Sequence, residues 1–367
     1  MKHINSIIFL IVTSFTIAFT VRAQQEPLRI GVVGLTHDHI HGLLGRKEKG
    51  DIVIVGIAEP DTALVGRYAR QYGFDRKLVY PTIGEMLRQT NPEAVMAYND
   101  IFGHLEVVEA CAPRGIHVMV EKPLAVSSEH VMRMDSLAGK YNIHLLTNYE
   151  TTWYGSNAKA YEIANHEEAI GEIRKIVFNT GHQGPVEIGC STEFLSWLTD
   201  PVRNGAGALN DFGCYGANIS TWLMKGETPL YVTAVTHTNK PQVYPQVDDE
   251  ASIIVQFKKA QVVIQASWNW PYSRKDMQLY GVSGYVNCIN ASDMRIQQKG
   301  KRVEELTAPA LPADRNDAFT YFANIIRGDI KVQPYDLSSL ENNIRVVKIL
   351  EAAKISAQTG RTIPWRE

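Results

Sequence analysis

Taking hydride from a carbinol carbon requires a base at the hydroxyl and a donor or cation for the alkoxide that develops. Lys122, Asp211 and Tyr215 carry side chains of those kinds. A phenol with an ordinary pKa near 10 is a poor base at neutral pH, but an ammonium close by would favour phenolate. Asp211 and Tyr215 are four residues apart, which on a helix places them on one face, where the carboxylate could orient substrate or lysine. Taken alone, Tyr215 reads equally well as a packed core aromatic, and Lys122 as a surface charge after a strand.

A second group lies near the start of the chain, in Gly31-Val-Val-Gly34-Leu35-Thr36-His37-Asp38-His39. A strand followed by such a turn and a helix offers free N–H groups to a pyrophosphate. Of the dinucleotide fingerprint G-x-G-x-x-G/A only the first glycine, Gly34, is present; Thr36 and His39 fill the other two places. Glu59, 25 residues after Gly34 at the end of the next apolar run, can accept from an adenosine ribose and would repel a 2′-phosphate, which favours NAD over NADP. The plainer reading of Glu59 is a solvated turn in Ala-Glu-Pro-Asp. His37, Asp38, His39 and His41 are also metal-ligand types, but in a first helical turn they point in several directions and no distant Cys or His motif completes a tetrahedral set. No metal is expected, and Thr36 or Asp38 can serve as helix caps.

The elements around these residues alternate. Arg29–Val33, Ile52–Ala58, Ala94–Tyr98, His117–Val120 and His144–Thr147 read as strands, separated by helical stretches: Thr62–Tyr72, a capping box at Thr82-x-x-Glu85, and a run from Ser127 to Tyr141. Such units predict a doubly wound parallel sheet over residues 28–150. From residue 151 the pattern changes. One helix over Leu209–Met224 precedes strands at Leu230–His237, Ala251–Phe257, Gln261–Trp268, Lys275–Gly281 and Tyr285–Asn290. Ser252/Ile254/Gln256 alternate with Ile253/Val255/Phe257, which predicts a mostly antiparallel sheet with one covered face. Helices at Asp317–Gly328 and Leu337–Thr359, the latter opened by Ser338-x-x-Glu341, are expected to return to the first domain and brace it. The fold class is α/β, a Rossmann domain followed by an α+β open-sheet domain over residues 151–367.

At 367 residues, with 45% hydrophobic and 21% charged residues, the chain has globular composition and room for two domains. Its net charge is −2, which gives no basic field for nucleic acid. Lys2 and His3 followed by an uncharged stretch to Val21, then Val21-Arg22-Ala23, have the pattern of a cleaved secretory signal over residues 1–23. An exported, periplasmic protein with no membrane anchor after cleavage is expected. Cys111, Cys190, Cys214 and Cys288 are scattered and predict neither a zinc site nor an obligatory bridge.

Three segments carry a more specific signal. Glu121-Lys122-Pro123, directly after the fifth strand, is similar to the E-K-P signature of the Gfo/Idh/MocA oxidoreductase family. Gly205-Ala-Gly-Ala-Leu-Asn-Asp211-Phe-Gly213-Cys-Tyr215 is similar to that family's G-G-G-x-L-x-D-x-G-x-(H/Y), and Ile325-Ile-Arg-Gly with Ile355-Ser-Ala-Gln-Thr-Gly-Arg-Thr-Ile-Pro resembles its close. Together these span Leu28 to Trp365. The family's T-P-N-x-x-H segment becomes Tyr98-Asn99-Asp100-Ile101-Phe102-Gly103-His104, which keeps the histidine and loses Thr-Pro.

The resemblance implies an NAD(P)-binding Rossmann domain, an open-sheet second domain and a substrate pocket between them. Lys122 falls on the family's active-site lysine and Asp211 on its aspartate. Tyr215 falls on a position that is tyrosine in glucose-fructose oxidoreductase-type sugar dehydrogenases, so the expected function is oxidoreduction of a sugar, sugar derivative or polyol. Gly34, Leu35, Thr36, His37, Glu59, Asn99, His104, Glu121, Lys122 and Asn148 are expected at the cofactor. Among the aromatic and polar residues after the Rossmann unit, Tyr149, Trp153, Tyr154, His182 and Trp197, those expected at the substrate with Asp211 and Tyr215 are Trp153, Tyr154 and His182, because sugar faces stack on rings and hydroxyls need polar partners. An open sheet face needs another surface, so a homodimer or homotetramer is expected. Free NAD is scarce outside the cytoplasm, so the cofactor should be retained and recycled. Two other classes stay open: a carbohydrate binder without redox chemistry, and an NAD-assisted glycoside-cleaving enzyme, for which Thr180-Gly-His-Gln-Gly-Pro185 offers a loose likeness to the T-H-G-x-G-P segment of family-109 glycosidases.

Overall fold

A computed structural model describes residues 26–366; the signal expected over residues 1–23 lies outside the described residues. The first sheet is parallel throughout, in the order β3-β2-β1-β4-β5-β6. Its strands are β1 (Leu28–Val33), β2 (Ile52–Ala58), β3 (Val79–Tyr80), β4 (Ala94–Ala97), β5 (His117–Glu121) and β6 (Leu145–Asn148). Between them run α1 (Ile40–Leu44), α2 (Thr62–Tyr72), α3 (Ile83–Thr90), α4 (His104–Cys111) and α5 (Ser128–Tyr141). Near-continuous apolar runs such as Ala94–Ala97, buried at every residue, are what a sheet covered on both faces demands. The helix starts are set by side-chain caps: Asp61 accepts from Ala63 and Leu64 N–H, Thr82 from Glu85 N–H, and Ser127 from His130 N–H. The two-residue β3 is too short to leave an alternating pattern in the sequence.

The second sheet has nine strands in the order β14-β13-β12-β11-β7-β10-β9-β8-β15. They are β7 (Ile173–Gly181), β8 (Tyr231–His237), β9 (Glu250–Gln256), β10 (Gln261–Ser267), β11 (Arg274–Gly281), β12 (Gly284–Cys288), β13 (Asp293–Gln298), β14 (Glu304–Thr307) and β15 (Ile363–Pro364). Every pairing is antiparallel except β7 with β10. The central strand β7 was not expected, because Arg174 and Lys175 interrupt its start and both of its faces are buried at its end. One face is covered by α6 (Gly155–Tyr161), α8 (Ala208–Asp211), α9 (Gly213–Leu223) and a later helix, and α7 (Thr192–Leu198) adds Phe194, Trp197 and Leu198 to the same core. The single helix expected over Leu209–Met224 is thus two, broken at Phe212. A Cβ at Gly216 would come within 2.7 Å of Ile264, so glycine there lets α9 lie directly on the sheet.

The last two helices tie the halves together. In α10 (Ala318–Ile326), Ala318, Phe322 and Ile325 join Leu28, Ile30 and Val32 in the first domain's core, although the helix follows the second sheet in sequence. In α11 (Leu340–Thr359), Val347 packs with Val120 and Leu124, whereas Val346, Ile349 and Leu350 pack with the second core. Its N-cap is Ser339, which accepts from Asn342 N–H, and not Ser338, one residue earlier. All four cysteines are free. Because Phe322 is fully buried among β1 residues, Phe322→Ala should destabilise the protein by about 3–5 kcal/mol. Chemical denaturation followed by circular dichroism measures this; a loss below about 1 kcal/mol would show that α10 is not part of that core.

Candidate active site

The carboxyl ends of β1, β2, β4 and β5 converge on the turn after β1. Gly34 adopts φ +78°, and a Cβ there would lie 2.8 Å from the backbone of Asn99, so the close approach of the β1 and β4 ends requires glycine. Glu59 is buried and spans the turn, accepting from Leu35 N–H at 2.8 Å and Asp61 N–H at 2.9 Å. It is not a solvated turn residue. Burial raises its pKa against those two hydrogen bonds, and the carboxylate retains acceptor capacity for a ribose hydroxyl. Leu35 itself points into the core, so only its backbone belongs to this surface; Thr36 and Asn99 are partly exposed beside it.

Histidine replaces the missing glycines by a defined arrangement. His37 is buried, and its Nδ1 accepts from His39 N–H at 3.2 Å, which places the remaining proton on Nε2. Burial, then the nearby His39 and Lys122, hold its pKa well below the ordinary value, so the ring is neutral. Its Nε2 is buried without a partner among the described residues, a donor suited to a phosphate or ribose oxygen. His39 Nδ1 lies 2.8 Å from Glu121 Oε2, and Asn148 donates to Glu121 Oε1 at 2.8 Å. Potential ligand atoms of His37, His39 and Glu121 therefore gather within 4.8 Å, a three-ligand group that sequence spacing did not reveal. The charge of Lys122 acts on both His37 and Glu121 and opposes a divalent cation there, and the side chains of His39 and Glu121 already bond each other. The residues present fit a dinucleotide. His104, expected at the cofactor, is fully buried; its Nδ1 donates to Leu124 O at 3.1 Å, which braces the turn after β5, and its Nε2 has no partner among the described residues. Burial drops its pKa to about 4.

Lys122 and Asp211 meet at the junction of the two domains. Lys122 Nζ donates to Asp211 Oδ1 at 2.5 Å and to its backbone carbonyl at 3.0 Å, and both residues are buried. Trp268 Nε1 donates to Asp211 Oδ2 at 2.9 Å, which fixes the carboxylate from the other side. Burial works against both charges, but the pairing outweighs it: Lys122 is raised and Asp211 lowered from their ordinary pKa values. His182 stands nearby, half-buried, with Nδ1 accepting from Gly184 N–H at 2.9 Å, so it too presents an Nε2 proton. Tyr215 does not receive the expected help from lysine. Lys122 Nζ sits over its ring, 5.1 Å from the centroid, and burial together with the charges of Glu150 and Asp211 pushes the phenol pKa well above 10. The hydroxyl is a donor, held beside the fully buried Tyr149 by edge-to-face packing at 5.7 Å.

The expected aromatic platform divides. Trp153 packs edge-to-face on Tyr321 of α10 and donates Nε1 to Asn148 at 3.1 Å, so it braces the first domain instead of offering a free face. Trp197 is buried against His37. Tyr154 remains at the site, its hydroxyl donating to Glu150 at 2.5 Å. Three contributions escaped sequence reasoning. Lys275, at the start of β11, places Nζ 5.1 Å from the Tyr215 centroid and pairs with Glu150. Trp268 ends the Ser-Trp stretch after β10, and only its spacing from Asp211 across the fold gives it a role. The third is a strap. Ser191 N–H donates to Asp38 Oδ2 at 3.0 Å, Arg67 pairs with Glu193 at 2.6 Å, and Phe194 and Trp197 of α7 pack on His37 at 4.8 and 5.4 Å, so a segment of the second domain crosses the turn after β1.

Known proteins agree with this arrangement. The oxidoreductase family with an NAD-binding Rossmann fold matches residues 28–149, and the Gfo/Idh/MocA C-terminal domain matches residues 162–287. The dTDP-3,4-didehydro-2,6-dideoxy-alpha-D-glucose 3-reductase of Saccharopolyspora spinosa is 26% identical over 92% of this chain and all of its own length. An inositol dehydrogenase homolog from Azotobacter vinelandii, solved with NAD+, superposes with a TM-score of 0.78 at 18% identity, covering 93% of this chain and 98% of that one. The aldose-aldose oxidoreductase of Caulobacter crescentus, complexed with glycerol, superposes with a TM-score of 0.77 at 20% identity, covering 93% of this chain and all of that one. Across both of its domains, then, this chain belongs to the Gfo/Idh/MocA family of NAD-dependent oxidoreductases.

Proposed function

We propose that the protein interconverts a carbinol and a carbonyl on a neutral sugar, sugar derivative or polyol, and keeps its NAD(H) from one turnover to the next. The observation that carries the reaction is the buried Lys122–Asp211 pair. The bound dinucleotide supplies the hydride acceptor or donor. An ammonium has three N–H donors, and Lys122 spends two on Asp211, which leaves one for a substrate oxygen. Because Asp211 raises the proton affinity of Lys122, the lysine is charged at neutral pH. In reduction it donates that proton to the carbonyl oxygen. In oxidation the deprotonated lysine accepts the hydroxyl proton as hydride leaves the carbon, and the ammonium so formed stays beside the carbonyl oxygen. Tyr215 and His182 Nε2 donate to neighbouring hydroxyls and set the ring's orientation.

Retention is supported by the strap. The α7 segment is anchored on the loop residues Thr36 to Asp38 and on α2, and exchange of a ligand held by that loop would require these contacts to open. A protein exported through the signal over residues 1–23, which is the expected route to the periplasm, would need such retention. The open face of the second sheet also carries exposed Tyr231, Val235 and Ile254 on β8 and β9, which supports association as a homodimer or homotetramer through that end.

Three outcomes are expected. Lys122→Ala should lower turnover by about a hundredfold or more, as for loss of a positioned acid or base, with cofactor content unchanged; wild-type rates on a sugar that the protein demonstrably converts would refute the assignment. Asp211→Asn removes the charge that raises Lys122, so burial alone acts, and the rising alkaline limb of the oxidation rate should move to lower pH. An unmoved limb in a folded, NAD-loaded variant would exclude Lys122 as the titrating group. Protein denatured after exhaustive dialysis should release about one dinucleotide per chain through tight binding, and Trp197→Ala should release it during dialysis. Empty wild-type protein would end the retention reading.

A further inference from the structure

Lys122 takes its counter-charge from Asp211, and the place of Asp211 is itself set from outside its helix. The helix that carries it, α8, is a single turn, too short to hold its direction by its own backbone bonds. The N–H groups of Gly207, Ala208 and Leu209 all end on one residue far along the chain. Gly207 N–H donates to Asp248 Oδ1 at 2.9 Å, Leu209 N–H to Asp248 Oδ2 at 2.7 Å, and Ala208 N–H to the Asp248 carbonyl at 3.0 Å. A Cβ at Gly207 would come within 1.8 Å of that carbonyl, so glycine at this place in Gly205-Ala206-Gly207 is what admits Asp248 to the helix start. The opposite end of α8 is taken by Lys122, which donates to the Asp211 carbonyl. A carboxylate at the N–H end and an ammonium at the carbonyl end match the dipole of the turn between them.

The second sheet gives Asp248 a firm footing. The residue immediately precedes β9, whose first residue, Glu250, is a register partner of both Ser267 on β10 and His237 on β8. Its neighbour Asp249 holds the other donor to Asp211. Trp268 N–H donates to the Asp249 carbonyl at 2.8 Å, and Asn269 Nδ2 donates to that carbonyl at 2.9 Å and to Asp249 Oδ1 at 3.0 Å. The indole of Trp268 then reaches Asp211 Oδ2. Two adjacent residues at the start of one strand thus fix the backbone of Asp211 and the donor to its second carboxylate oxygen, and the first oxygen and the carbonyl are left to Lys122. In the approach to α8, Lys354 Nζ donates to Gly205 O at 3.2 Å and to Val126 O at 3.1 Å, which ties this loop to the segment that follows Lys122. Loss of an acceptor at Asp248 leaves an N–H unsatisfied at the start of the turn. With only one turn between them, the resulting displacement is carried to the carboxylate and carbonyl of Asp211.

We propose that Asp248 is a positioning residue of the reaction: by capping the single turn of α8 it sets the place of Asp211 and, through it, the direction of the Lys122 ammonium at the substrate oxygen. The inference rests on the reading of Lys122 as the acid and base. The groups facing Lys122 are Asp211, Cys214 and Glu121, with His37, His182 and Tyr215 around them, and Asp248 itself faces Asp249 and Lys354. The test uses NAD-loaded protein carrying Asp248→Asn, Asp211→Asn or both. It reads kcat, KM and, by mass spectrometry, the midpoint of Lys122 acetylation against pH, with the exposed Lys299 as internal standard. In Asp248→Asn one N–H meets an amide in place of an oxygen, so the midpoint should fall by about one pH unit and kcat by about tenfold, with KM within about twofold. In the Asp211→Asn background the same substitution should change neither further, as for a residue that acts through another. Asp248→Ser, which keeps one acceptor oxygen on a shorter side chain, should move both in the same direction. An unmoved midpoint in both folded variants, or acetylation raised at every pH about an unmoved midpoint, would overturn the proposal. So would an equal further shift in the Asp211→Asn background, because Asp248 would then act by its own charge. A midpoint that moves only while Asp211 is present, with rates unchanged, would instead refute the reaction and leave Asp248 as the residue that places Asp211.

Discussion

A buried ammonium is tolerated only with a counter-charge and hydrogen-bond acceptors, and Lys122 obtains the charge and acceptors for two of its three N–H groups from the other domain. The lysine leaves the parallel sheet at the end of β5, whereas Asp211 closes the short helix α8 on the antiparallel sheet. Neither half could bury its charge alone. The relative placement of the domains is therefore tied to the reacting group, and the other features of the junction serve that tie: Trp268 fixes the second carboxylate oxygen, α11 contributes to both cores, and His104 holds the turn that follows Lys122. Removal of one partner from such a pair typically costs about 3–5 kcal/mol, since the other charge is left uncompensated. The pair is intact only while Lys122 is protonated and Asp211 ionised. With Lys122 raised, its contribution to stability is present at and below the ordinary lysine pKa and is lost as pH rises through the raised value. With Asp211 lowered, its contribution is present above the ordinary aspartate value and is lost as pH falls through the lowered one.

The same economy of charge shapes the cofactor side. Where a glycine-rich turn would present bare N–H groups, this chain presents imidazoles whose tautomers are fixed by backbone bonds, His37 by His39 N–H and, across the crevice, His182 by Gly184 N–H. A neutral imidazole with one nitrogen satisfied is a donor of known direction. His39 in turn bonds one oxygen of Glu121, the carboxylate that lies beside Lys122. Loss of the two glycines is thus accompanied by a hydrogen-bond set that links the turn after β1 to the end of β5.

Much of this was legible in the residues. The alternation of apolar runs with capped helices marked the first sheet nearly to the residue except for the two-residue β3, because capping side chains and fully apolar strands are local signals. Glu121-Lys122-Pro123 and Asp211 marked the pair. What stayed hidden is nonlocal. The strand β7 carries two charges and has no single-period pattern, yet it sits at the centre of the second sheet because β10 and β11 pair on either side of it. Lys275 looks like any strand-edge lysine until β11 carries it over Tyr215. Trp153 has the type expected at a site but is turned into packing by α10. A sequence shows which residues can do chemistry; which of them reach solvent depends on contacts made from far along the chain.

Tyr215 shows how such contacts change a role. A lysine near a phenol lowers its pKa when the two charges face each other in isolation. Here the ammonium of Lys122 is already matched by Asp211, and that of Lys275 by Glu150, so the net field at the phenol is set by burial and by carboxylates. The two ammonium groups lie over its ring, each 5.1 Å from the centroid, where they meet the electron-rich face and not the oxygen. The ring therefore acts as a spacer between two ion pairs, Lys122–Asp211 and Lys275–Glu150. Its hydroxyl remains protonated across the neutral range, which leaves the movable proton of the site on Lys122.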